Sequence, residues 1–344
     1  MDAQKIASFL EKHGQPRFRL GQVKEAVFQK GISSFSQIST LPKELRDLLA
    51  RDFPLLSFEV LQLHGSQDGR SAKALLKLSD GSSIETVLIS PKEGLWSVCV
   101  SCQVGCAMGC RFCATGQMGF RRNLVAEEIT DQILFWRQYL KNNKHLLRNF
   151  DVTNVVYMGM GEPFNNWENV SQSIRILTDP EQFAFGMRAI SVSTSGVAEG
   201  IMRLAKEFPQ VNLALSLHFA TDEQRGYLMP VNKKDDLASL KKALQAYFQQ
   251  TRRKVFIEYI LLEGLNDRAL DAKNLAAYLK SIGNLPLLHV NLIRYNTVSD
   301  IFMPSTRERT VRFKQELKKM GISATIRKSL GEEIKGACGQ LAAD

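Results

Sequence analysis

Cys106-Ala-Met-Gly-Cys110-Arg-Phe-Cys113 puts three thiols on one short loop with Cys-x3-Cys-x2-Cys spacing. Each iron of a four-iron cluster takes one terminal ligand, usually a Cys thiolate. Three cysteines on a single loop therefore hold three irons and leave the fourth to a ligand that is not protein. A competing reading takes Cys99, Cys102, Cys110 and Cys113 as two Cys-x2-Cys pairs around a structural zinc. Those pairs are separated by only seven residues, against about fifteen in zinc sites of this kind. Structural disulfides fit worse, because the chain opens on no secretory leader and is long enough to build a core without staples. The cysteines read as reduced and the protein as cytoplasmic.

S-adenosylmethionine (SAM) suits the open iron. Its amino and carboxylate groups can chelate the metal, and an electron from the cluster can split the sulfonium into methionine and a 5′-deoxyadenosyl radical. The spacing is that of radical-SAM chemistry.

Outward from this loop the chain alternates β-branched runs with helical patterns. Strands are expected over 97–102, 154–160, 190–195, 212–218, 254–262 and 289–295, each followed by a helix. In the first of those helices Ile129, Ile133, Trp136 and Leu140 recur on one face, as core positions do. Six βα units predict an α/β fold with a partial six-unit (β/α)6 barrel and functional groups at the carboxyl ends of its strands. Residues 1–92 read differently. Residues 3–50 look helical, with Leu20, Val23, Val27 and Phe28 on one face, and 56–90 alternate like a small antiparallel sheet broken at 66–69 and 79–81. The expected division is an accessory domain over 1–92 and a core over 93–344.

The 344 residues are 44% hydrophobic and 23% charged, with no apolar run of the ~20 residues a membrane span needs. The net charge of +10 is the electrostatic footprint of a protein that meets a polyanion. Candidate contacts are Arg17-Phe18-Arg19, Arg121-Arg122, Arg252-Arg253-Lys254 and Lys318-Lys319, although such pairs are more often solvated faces.

Small polar groups gather at the expected strand ends: Met158-Gly-Met-Gly-Glu-Pro163, Ser193-Thr-Ser-Gly196, Ser216-Leu-His218 and Asn296. A ribose and a methionine carboxylate need such donors and acceptors. Together with Cys99-Val-Ser-Cys-Gln-Val-Gly-Cys106, Cys113-Ala-Thr-Gly116, Arg122-Asn-Leu124, Asn291-Leu-Ile293 and Ala337-Cys-Gly-Gln-Leu341, these motifs resemble the radical-SAM RNA adenine methyltransferases of the RlmN and Cfr type. The resemblance implies one [4Fe-4S] cluster on Cys106, Cys110 and Cys113, and two SAM molecules per turnover. It implies a SAM site lined by Gly161, Glu162, Ser193, Ser216, Leu217, His218 and Asn296. Cys338 matches the cysteine that carries the methyl, Cys99 the resolving cysteine and Glu85 the proton acceptor. In the implied mechanism a thiolate takes a methyl from one SAM, and the radical from a second SAM removes hydrogen from that methyl. The carbon radical then adds to the base, a base removes the ring proton, and a second thiol releases the product by forming a disulfide.

The implied substrate is an adenosine of 23S rRNA in the peptidyl-transferase region, methylated at C2 (RlmN type) or C8 (Cfr type), with the adenosine beside the tRNA anticodon as a further C2 target. Phe120 looks RlmN-like and 289–296 Cfr-like; C2 is the favoured reading. A reducing electron donor such as flavodoxin or ferredoxin is implied, and nothing in the sequence suggests a permanent oligomer. Two positions depart from the pattern: Cys102 stands where Ser is usual, and Thr297 where Pro is usual. Other readings are a different radical-SAM enzyme, which would not need Cys338, and a zinc-bearing RNA-binding protein.

Overall fold

Three N-terminal strands, β1 (Phe58–Gly65), β2 (Ser71–Leu78) and β3 (Ser83–Lys92), run antiparallel, with turns at the two polar breaks expected from sequence. The computed structural model describes residues 1–143 and 151–342. β4 (Leu95–Cys99) pairs antiparallel with β3 and parallel with β7 (Asn154–Tyr157). Beyond it come β8 (Ile190–Thr194), β9 (Asn212–Ser216), β10 (Val255–Leu261), β11 (Leu288–Arg294) and β12 (Ala324–Ile326), all parallel to their neighbours. β5 (Gln103–Gly105) and β6 (Phe120–Asn123) form a separate two-stranded ribbon around the cysteine loop. The main sheet is open, in the order β1-β2-β3-β4-β7-β8-β9-β10-β11-β12.

All six expected parallel strands are present, and β12 is a seventh that sequence periodicity did not reveal, being only three residues long. Alternation along β10 shows how the sheet makes its site. Ile257, Tyr259 and Leu261 are fully buried in the core cluster, whereas Phe256, Glu258 and Ile260 line cavities on the concave face. The helix after the cysteine loop (Ala126–Asn142) buries Ile129, Ile133, Trp136 and Leu140 completely, as its periodicity predicts. Trp136 also donates its indole N–H to Thr86 Oγ1 (3.1 Å), whose own hydroxyl donates to Cys99 O (2.9 Å). The core thereby fixes the strand that presents Cys99.

The first 54 residues are mostly helical. Val23, Val27 and Phe28 are buried, with Leu20 packed at the margin. Residues 25–29 form a π-turn, which holds the three buried side chains across a change of helical register. The strands over 58–92 are hydrogen-bonded into the same sheet as the parallel strands. The backbone ladder is thus continuous across residue 92. After the last helix (Arg307–Lys319) and β12, residues 327–342 cross the concave face without forming a helix or strand.

Candidate active site

The cysteine loop is built on close backbone approaches. Gly105 has φ +72°, and a Cβ there would sit 1.8 Å from Gly119 O, the carbonyl that accepts Cys106 N–H (2.9 Å). Gly116 packs against the backbone of Cys110, where a Cβ would come within 2.8 Å. Cys106, Cys110 and Cys113 all line one cavity of about 170 Å³, together with Gly161 and Glu162. Burial pushes the Cys106 thiol up to about 12 and raises Cys110 and Cys113 as well. Burial outweighs the one cation that acts on them, Arg225 near Cys110, and buried thiols of this kind suit a metal, whose charge stabilises the thiolate. Three such groups facing one cavity fit a cuboidal cluster that takes its ligands at separate corners. The alternative zinc set is not brought together: Cys102 is packed in the main core, and Cys99 lines a different cavity from Cys110 and Cys113.

Gly161, Glu162, Ser193, Ser216 and His218 line the cysteine cavity, as expected for the SAM site. Gly159 and Gly161 admit the loop after β7, since a Cβ at either would strike residues 100–103 at 2.5–2.9 Å. Glu162 Oε2 accepts from the N–H (2.7 Å) and hydroxyl (2.9 Å) of Ser195, and Oε1 from Phe164 N–H (3.2 Å). Burial nonetheless raises its pKa. His218 has φ +56° and accepts Ile260 N–H at Nδ1 (3.1 Å), which places its proton on Nε2. Burial lowers its pKa to about 3, so the ring is neutral. Leu217 does not join this set through its side chain, which is buried in the core. Asn296 lies instead on a neighbouring, larger cavity, and its amide donates to Cys338 O (3.0 Å).

That larger cavity, of about 520 Å³, is lined by Cys99 and Cys338. Cys338 also lines the smaller one, so it stands where the two meet. Its sulfur is accessible through the cavities yet lies deep in the protein, and burial pushes its thiol pKa up. Burial likewise raises Cys99. The tail bearing Cys338 is stitched down on both sides. Ala114 N–H donates to Gly339 O (2.8 Å) and Thr115 Oγ1 to Leu341 O (2.6 Å) beside the cysteine loop. On the other side Ala342 N–H donates to Glu85 Oε2 (2.9 Å). Glu85 is buried and paired through Oε1 with Lys73 Nζ (2.6 Å). The structure therefore puts Glu85 at the end of the tail, with both oxygens engaged, and not on the wall of either cavity.

Sequence reasoning missed Glu258, Asn291 as its partner, and Arg327. Glu258 Oε1 accepts from Asn291 Nδ2 (2.8 Å) and pairs with Arg327 Nη1 (3.6 Å). The signal was a lone carboxylate in the apolar run Val255-Phe-Ile-Glu-Tyr-Ile-Leu261. Of the candidate RNA contacts, Arg122 is committed internally, to Asp80 (2.6 Å) and in a bidentate pair to Glu128 (2.8 and 2.9 Å). Arg19 is bound to Gln22 and Thr40 O, whereas Phe18 beside it is exposed.

A cysteine loop and a polar rim at the carboxyl ends of parallel strands define a radical-SAM protein. Residues 100–276 match the Radical SAM superfamily, and residues 1–54 match the ribosomal RNA large subunit methyltransferase N-terminal domain. The chain is 42% identical to the ribosomal RNA large subunit methyltransferase Cfr of Clostridium botulinum, over 95% of this chain and 92% of that one. It is equally 42% identical to the probable dual-specificity RNA methyltransferase RlmN of Salinibacter ruber, over 98% and 91%. A crystal structure of a radical SAM methyltransferase from Sphaerobacter thermophilus superposes with a TM-score of 0.92 at 40% identity, covering 100% of this chain and 98% of that one. The chain belongs to the RlmN/Cfr family of radical-SAM RNA methyltransferases, with a [4Fe-4S] cluster and SAM as its cofactors.

Proposed function

We propose that this enzyme methylates C2 of an adenosine in 23S rRNA through a methyl carried on Cys338. The observation that carries this reading is the position of Cys338, which lines both the cavity of the three cluster cysteines and the cavity of Cys99. A thiol at that junction can meet SAM on one side and a base on the other. C2 of adenine bears a hydrogen that no side chain conveniently removes, so ordinary methyl transfer is closed to it. Cys106, Cys110 and Cys113 would hold the cluster, which supplies the electron that opens SAM homolytically. Glu162, Ser193, Ser216 and neutral His218 would orient SAM, and Asn296 fixes the backbone of the carrier cysteine. Cys99, across the larger cavity, is the thiol that releases product by pairing with Cys338. Glu85 takes the ring proton once the tail lets go of its carboxylate.

Phe120 supports C2. Relatives of equal identity carry the Cfr name, which makes C8 the competing outcome. The adenosine beside the tRNA anticodon is proposed as a second substrate, flavodoxin or ferredoxin as the reductant, the cytoplasm as the place of action, and a monomer as the working unit. Among the described residues no helix is long and apolar enough to cross a membrane.

The test is mass spectrometry of nucleosides from unmodified 23S rRNA and tRNA after anaerobic incubation with cluster-loaded enzyme, reductant and methyl-deuterated SAM. Labelled 2-methyladenosine lacking one methyl deuteron is expected. Labelled 8-methyladenosine would overturn the C2 assignment, and methylation that survives Cys338→Ala would overturn the carrier role.

A further inference from the structure

Glu258 Oε2 is a buried carboxylate oxygen with no hydrogen-bond partner. The residue is 4% exposed, in the middle of β10, on a wall shared by both cavities. Its other oxygen already accepts a hydrogen bond from Asn291 Nδ2 (2.8 Å) and is ion-paired with Arg327 Nη1 (3.6 Å). Asn291 lines only the larger cavity, so the carboxylate is anchored on the side of Cys99 and Cys338. An unpartnered buried acceptor is costly, and burial accordingly raises the pKa of this carboxyl, an effect that a donor at Oε2 would oppose. A ligand that brings an N–H or O–H to this wall would satisfy it.

The larger cavity has the character of a base pocket. Its walls are mostly apolar, with Val87, Ile89, Val156 and Ile293 among them, and a few polar groups converge from the strands. Its volume of about 520 Å³ leaves room for a flipped purine. Resting on the proposed carrier role of Cys338, we infer that Glu258 reads the exocyclic amine of the target adenine, accepting its N6–H at Oε2. Adenine offers a donor at that edge, whereas guanine offers the O6 acceptor, which a carboxylate repels. The same contact orients the ring between Cys338 and Cys99. Glu258 thus selects adenine and positions it.

The experiment compares RNA hairpins carrying adenosine or purine riboside, which lacks the amine, at the target position, using cluster-loaded enzyme under anaerobic conditions. The unsubstituted enzyme should lose about 10-fold or more in kcat/KM with purine riboside, as expected for one hydrogen bond to a charged group. Glu258→Gln keeps an oxygen for Asn291 and Arg327 but turns an amide donor toward the cavity. It should lower adenosine methylation by a similar factor and erase the preference between the two hairpins, with the KM for SAM unchanged. Equal rates on both hairpins with the unsubstituted enzyme would overturn the inference without any variant having to fold. A raised KM for SAM with the preference retained in Glu258→Gln would also overturn it, by assigning the oxygen to the cosubstrate. Both results leave the proposed function standing as long as adenosine is methylated and Cys338 acquires a methyl. No methylation of either RNA and no methyl on Cys338 would overturn both.

Discussion

Gly105 and His218 both have positive φ, for different reasons. At Gly105 the position must be empty, because a Cβ would displace the Gly119 carbonyl that holds Cys106. Gly105→Ala should therefore distort Cys106, a proposed cluster ligand, and strain of this kind costs about 1–3 kcal/mol. Iron per chain is expected to fall several-fold while the far-ultraviolet circular dichroism is kept. At His218 the strained backbone turns an imidazole into the SAM cavity, where burial holds its pKa at about 3. The unfolded chain binds a proton near pH 6.5 that the folded one refuses, so this residue's contribution is intact above that pH and declines as pH falls toward 3. Between pH 7 and 5 the loss is about 2 kcal/mol. His218→Gln should remove that part of the pH dependence in urea denaturation. It should also add no inflection to the pH–rate profile between 6 and 8, where a neutral imidazole does not titrate.

At the scale of elements, the parallel strands were legible because their β-branched runs are long and their carboxyl ends carry clustered polar residues. β12 was not, since three residues give no periodicity, and its place beside β11 depends on a long-range ladder. Glu85 reads as an exposed strand residue because alternation places a side chain on a face but cannot say that a tail from the far end of the chain covers that face. Glu85→Gln leaves the largely covered Lys73 without its counter-charge, which costs on the order of 2 kcal/mol. It also loosens the clamp on Ala342. Hydrogen exchange over 336–342 should accelerate, and methylation of Cys338 should slow more than SAM binding does. An unchanged exchange rate would remove the clamp from the account.

Across the whole molecule, charge is legible in the sequence as a sum rather than as a surface. The net +10 predicts a polyanion partner, yet Arg122 and Arg19, singled out from their neighbours in sequence, are spent on internal partners. Arg70, Arg294, Arg307, Arg327 and Lys328 line a groove with Asn296, Asp68 and Glu332, with Arg70 held to the Ser90 and Pro91 carbonyls and Arg294 to that of Ser305. They come from four segments of the chain, so no local motif could show them together. If the enzyme neutralises about four phosphates, a fourfold rise in salt should weaken RNA binding on the order of 50-fold. Filter binding of a 23S rRNA fragment across that range checks the slope, and a flat response would separate the charge from RNA recognition.

The stitches at Ala114 and Thr115 join the tail that bears Cys338 to the residues immediately after Cys113. By linkage, whatever orders one must favour the other to the same degree. If Cys113 holds a cluster iron as proposed, assembly of the metal centre and seating of Cys338 are then thermodynamically coupled. The fold in this way ties the position of Cys338 to the order of the cysteine loop.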